Sequence, residues 1–193
     1  MQYYNDLPNG YVIYKTIDAE KKKTAIYFSI GGIIITIISF ILLIIIKKIE
    51  FTFAINIKNA LGILLFGFIL IANIFVHELT HGLFYKLFTK QKLKFGFTKF
   101  NAYCGAPNIY MKRNPMIIIS LAPFIIYSII SILLIIILPP NLTCFFVIIY
   151  FSNHIGGCIG DIYVAIQLIF NVNKNALVND TGQKQTIYKR NSL

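Results

Sequence analysis

Histidine and acidic residues are scarce in this chain, so the places where they fall limit the chemistry it can do. The 193 residues include three His and seven Asp or Glu. His77-Glu78-Leu79-Thr80-His81 forms an H-E-x-x-H pattern. On a helix, residues i and i+4 share a face with Cβ atoms about 6 Å apart, so both imidazoles can reach one zinc ion. Glu78 then lies beside the first ligand, placed to take a proton from an attacking water. With three His and three Glu available, an accidental match somewhere in the chain has odds of roughly 10⁻³, and context must still agree.

The elements that must position these residues are apolar. The chain is 57% hydrophobic with a mean hydropathy of +0.72, and its Ile, Leu and Phe come in uncharged runs. A bilayer core needs about 20 apolar residues per helix. Four such spans are expected, over about residues 25–46, 60–88, 116–138 and 143–170. Residues 1–24 read as a polar N-terminal segment without the apolar core of a cleavable signal, and 171–193 as a polar, frayed tail. Between the second and third spans, Leu93, Phe95 and Phe97 alternate with Lys94, Gly96 and Thr98, and Phe100 to Cys104 can return as a partner strand. Gly105-Ala106-Pro107-Asn108 then reads as a turn. A short strand is also expected over residues 51–57. The expected fold class is thus an all-α polytopic membrane protein: four transmembrane helices and one small membrane-associated β-hairpin.

The net charge of +11 would suggest nucleic acid in a soluble protein, but here the Lys and Arg cluster between apolar runs. They set orientation instead. The N-terminal segment carries four, residues 89–114 six (seven with Lys86) and the tail four, against three in residues 47–59. The positive-inside bias therefore puts both termini and the hairpin in the cytoplasm of a multi-pass membrane protein. No nucleic-acid partner is expected; the partners implied are the bilayer and a membrane-protein substrate. Cys104, Cys144 and Cys158 form no C-x-x-C pair and suggest no disulfide framework.

Glu78, Asp161 and all three histidines fall inside spans. Each ionisable group in hydrocarbon costs on the order of 2.5–3.5 kcal/mol, so this set demands mutual compensation or a metal. Asp161 is the candidate third ligand. The centre of His77 and His81 lies ten residues before Thr89, and Asp161 lies ten before Asn171. At about 1.5 Å per residue both sit about 15 Å from the ends of helices that run the same way. Gly156, Gly157 and Gly160 allow the fourth span a close approach. His154, one heptad before Asp161, shares its face but lies about 10.5 Å away along the axis; it reads as a substrate- or proton-handling residue, or as a core histidine. Cys158 reads as a soft ligand or a buried structural thiol. Asn73, one turn before His77, is a candidate partner for that ligand.

These residues resemble the site-2-protease group of intramembrane zinc metalloproteases, and more closely the small membrane proteins of the DUF3267 family, described as zincin peptidases. In the site-2 group, H-E-x-x-H is completed by an Asp within N-x-x-P-x-P-x-L-D-G on a later span. Asn153 to Asp161 keeps that eight-residue spacing, with Gly156 and Cys158 in place of the prolines, Gly160 in place of Leu and Ile162 in place of the final Gly. The resemblance implies Zn²⁺ held by His77, His81 and Asp161, Glu78 as catalytic base, and Asn153 as an oxyanion-stabilising residue. The expected activity is zinc-dependent peptide hydrolysis near the cytoplasmic face. The alternatives are an inactive metal-binding scaffold or regulator, a bis-histidine haem carrier that leaves Glu78 and Asp161 idle, and an ion relay.

Overall fold

The computed structural model of the protein describes residues 2–49, 57–98 and 102–191. Among them are five helices: α1 (Lys22–Lys47), α2 (Ile57–Phe88), α3 (Arg113–Ile137), α4 (Leu142–Gly157) and α5 (Ile159–Phe170). Six strands accompany them: β1 (Tyr3–Tyr4), β2 (Tyr11–Asp18), β3 (Lys94–Phe97), β4 (Ala102–Lys112), β5 (Leu177–Asp180) and β6 (Lys184–Arg190). The all-α expectation is overturned, because these strands form one antiparallel sheet and the fold is mixed. Of the strand expected over residues 51–57, residues 51–56 lie outside the described residues and Ile57 opens α2.

Helices α1, α2 (from Ala60) and α3 are each long and apolar enough to cross a membrane, and α4 with α5 makes a fourth, broken candidate. The chain divides into two compact units. The first comprises Met1–Ser29, His77–Pro123 and Gly160–Leu193; the second comprises Ile30–Val76 and Phe124–Ile159.

The first unit holds the sheet, in the order β1-β4-β5-β6-β2 with β3 pairing to β4. Its strands come from before α1, from between α2 and α3, and from after α5, so those three segments share one place in the fold. Residues 177–190 of the tail are therefore not frayed. β5 and β6 pair with each other, and β6 pairs with β2 along Tyr11–Asp18. Their sequences are rich in Tyr, Ile, Val and Thr, which suit a half-buried pleated surface. The inner sheet face buries Met111, Val178 and Ile187 against Tyr85 of α2, Met116 of α3 and Leu168 of α5.

The hairpin between α2 and α3 is present, with Phe95 opposite Cys104 and Phe97 opposite Ala102. The turn expected at Gly105–Asn108 is not a turn, because β4 runs through it. A register irregularity between Ala106 and Met111 absorbs Pro107, and Asn179 Nδ2 donates to the Pro107 and Ile109 carbonyls.

In the second unit, α4 starts at an Asn141 cap whose side chain accepts from the Cys144 N–H. The close approach made by Gly156 is to α1. A Cβ there would sit 2.5 Å from the Gly32 carbonyl oxygen and closer still to Thr36 Oγ1. Gly157 has nothing nearby. Gly156→Val is expected to destabilise the protein by ~1–3 kcal/mol through overpacking, and Gly157→Ala to be near neutral, as read by thermal unfolding in detergent.

Candidate metal centre

The turns of α2 that bear His77 and His81, the first part of α3 and all but the first residue of α5 belong to the first unit, so the centre is built inside one compact body. α2 ends at Phe88 and α5 at Phe170, the ends on which the matching depths depend. Asp161 falls in the first turn of α5 because the last span is broken at Cys158. The break creates a helix N-terminus inside the apolar segment, where the helix dipole favours a carboxylate. This was missed in the sequence, where the neighbouring glycines were read for packing alone.

α5 is held by two basic side chains. Lys15 Nζ of β2 donates to Tyr163 OH at 2.7 Å and to Gln167 Oε1 at 3.1 Å. Arg113 donates through Nε to the Leu168 carbonyl at 2.5 Å and through its terminal nitrogen to the Ile169 carbonyl at 2.9 Å. A guanidinium on the last carbonyls satisfies acceptors that the helix cannot serve itself.

His77, His81 and Asp161 converge. His77 Nε2 lies 3.1 Å from Asp161 Oδ2 and 3.2 Å from His81 Nε2, and His81 Nε2 lies 3.5 Å from Asp161 Oδ2. Ligands held tetrahedrally at about 2.0–2.2 Å from zinc are about 3.3–3.6 Å apart, so this triangle needs to open by only a few tenths of an ångström. His81 Nδ1 is 2.8 Å from the Ile119 carbonyl. A carbonyl only accepts, so Nδ1 carries the proton and the Nε2 lone pair turns toward the other two ligand atoms. Two imidazoles and one carboxylate are a donor set that suits zinc.

The DUF3267 family, described as "Putative zincin peptidase", matches residues 68–177. The chain belongs to this family. The match takes in α2 from Phe68 through the first residue of β5, and so includes the whole ligand triangle. No curated protein and no solved structure matches the chain. Membership of a zincin family supports a metallopeptidase role and zinc as its metal.

Glu78 is half-buried beside His77. One turn on, Gly82 lies under the hairpin, where a Cβ would come 2.7 Å from the ring of Phe95 and 3.5 Å from Cys104 Sγ. Burial pushes the Cys104 thiol up to about 12, which makes it a packing group and not a nucleophile. A further turn along α2, Tyr85 OH donates to Asp180 Oδ2 at 2.5 Å. Asp180 also accepts from the Gly182 N–H and from Gln185 Nε2. Burial raises its pKa, and these three donors oppose the rise. The sequence carried no signal for this anchor, since Asp180 lies in the tail and its partner in a span. Tyr85→Phe is expected to cost about 1.5–3 kcal/mol of stability, the worth of a hydrogen bond to a charged group, again read by thermal unfolding.

The remaining candidates belong to the second unit. Asn73 Oδ1 accepts from Tyr150 OH at 2.7 Å. Asn153 is exposed, and its amide donates to the Ile149 carbonyl of its own helix at 2.9 Å. His154 is buried between the rings of Tyr127 and Tyr150, with Cys158 Sγ 3.6 Å from its Nε2.

Proposed function

We propose that this protein is an intramembrane zinc metalloprotease that hydrolyses a peptide bond of a membrane-associated protein near the cytoplasmic face. The observation that carries the reading is the triangle of His77, His81 and Asp161 beside Glu78, on helices apolar enough to span a membrane. His77, His81 and Asp161 would hold the metal, which when bound supplies a Lewis acid to polarise the scissile carbonyl and acidify water. Glu78 takes a proton from the attacking water and returns it to the leaving amine.

The basic residues sit mainly on the segments that form the sheet, and the positive-inside bias puts those segments, with both termini, in the cytoplasm. A transmembrane substrate must unwind before cleavage, because a helical peptide bond is enclosed by its own hydrogen bonds. Among the described strands β3 pairs with β4, and we place such an extended segment on the hairpin they form, by strand addition. The contact of Phe95 with Gly82 keeps β3 one turn from Glu78.

The test compares membrane proteomes of cells carrying the wild-type chain or Glu78→Gln. A substrate accumulates uncut in the variant, with its cleavage site near the cytoplasmic end of a span. Zinc-loaded wild type with no cut membrane protein would replace the peptidase with a metal-binding scaffold.

A further inference from the structure

The Ile119 carbonyl orients His81, and the sequence of α3 explains why that carbonyl is free. In a helix the carbonyl of residue i accepts from the N–H of residue i+4. For Ile119 the donor position is 123, which is Pro123, a residue inside α3 with no N–H. Ile119 is only 1% exposed, so water cannot take the place of the missing donor. A buried carbonyl left unpaired is costly. His81 Nδ1, 2.8 Å away, supplies the hydrogen bond that the helix cannot.

Resting on the metal reading above, we propose that Pro123 is a positioning residue for the metal centre. By deleting one helical donor it reserves the Ile119 carbonyl for His81 and so selects the tautomer whose Nε2 lone pair faces His77 and Asp161. An ordinary residue at position 123 restores the N–H, which then competes with His81 Nδ1 for the same oxygen. The imidazole loses its fixed tautomer and its fixed ring angle together. Pro123 acts through Ile119.

A proline can also matter through its ring, by packing or by kinking the helix, and the experiment must separate ring from donor. Two variants do so. Pro123→Ala removes the ring and restores the N–H; lactic acid installed at position 123 removes the same ring but forms a backbone ester, with no N–H. The two readouts are zinc affinity by competition with a chelator, and the ¹⁵N shifts of ring-labelled histidine in the metal-free protein, where three histidines keep assignment tractable. Pro123→Ala is expected to lower zinc affinity roughly 10- to 100-fold, as loss of a partner behind a ligand does, and to mix the His81 tautomers. The ester variant is expected to keep wild-type affinity and a single Nδ1–H tautomer. If the two variants agree with each other in affinity and tautomer while wild type binds zinc, the role of Pro123 falls and the metal reading stands. If wild type binds no zinc, the metal reading falls, and the tautomer comparison still decides whether Pro123 frees the Ile119 carbonyl.

Discussion

Glu78→Gln is expected to leave one zinc bound and to lower turnover by about 10²- to 10⁴-fold, the usual contribution of a general base. That corresponds to about 2.7–5.4 kcal/mol of lost transition-state stabilisation. Glutamine keeps the size of the side chain and can still accept a hydrogen bond, but it cannot carry the proton from water to the leaving amine. The zinc should be unaffected, because the converging ligand atoms belong to His77, His81 and Asp161. The helix should be unaffected too, since Glu78 is half-buried and Gly82 makes the close contact on that side of α2. Metal analysis of the purified variant and cleavage of a substrate found by the proteome comparison give the two numbers. Turnover close to wild type would remove Glu78 from the role of base without disturbing the zinc site.

The convergence of His77, His81 and Asp161 was legible in the sequence for a physical reason. A helix converts spacing into geometry locally, so His77 and His81 share a face whatever the rest of the chain does. Span ends are marked by composition, so counting back from Phe88 and Phe170 put Asp161 at the depth of the histidines. The hairpin was legible for the same reason, since Lys94–Phe97 and its partner are close in sequence. The long-range pairing of the other strands was not. β2 pairs with β6, as in Val12 opposite Lys189, and no local pattern encodes a partner that far away. β1 and β5 are also short and lie in polar segments, where alternation over a few residues is a weak signal. Pro107 misled in the opposite sense: proline and glycine together read as a turn, whereas β4 accommodates them in an irregularity bridged by Asn179. The consequence of Pro123 depends on which residue faces Ile119, and only the tertiary structure supplies His81.

Asp161→Ala is expected to abolish stable zinc binding, with a loss larger than the roughly 100-fold that removal of a partner behind a ligand can cause. Two histidines would remain, and their Nε2 atoms, 3.2 Å apart, cannot complete a zinc site by themselves. The direct readout is zinc stoichiometry after dialysis; the independent one is thermal stability with and without the metal. A ligand that binds only the folded state stabilises it, by about 4.1 kcal/mol at a thousand-fold excess over Kd. Wild type should gain stability in this way and Asp161→Ala should not. In the metal-free proteins the order can differ, because the variant no longer keeps a carboxylate among apolar helices and, among the described residues, loses its contacts with His77 and His81. A variant equal to wild type without zinc but unresponsive to it would therefore identify Asp161 as a ligand and not a structural residue. Undiminished zinc occupancy would mean that another residue completes the site, and the matching depth of Asp161 and the histidines would then serve only the ion pair.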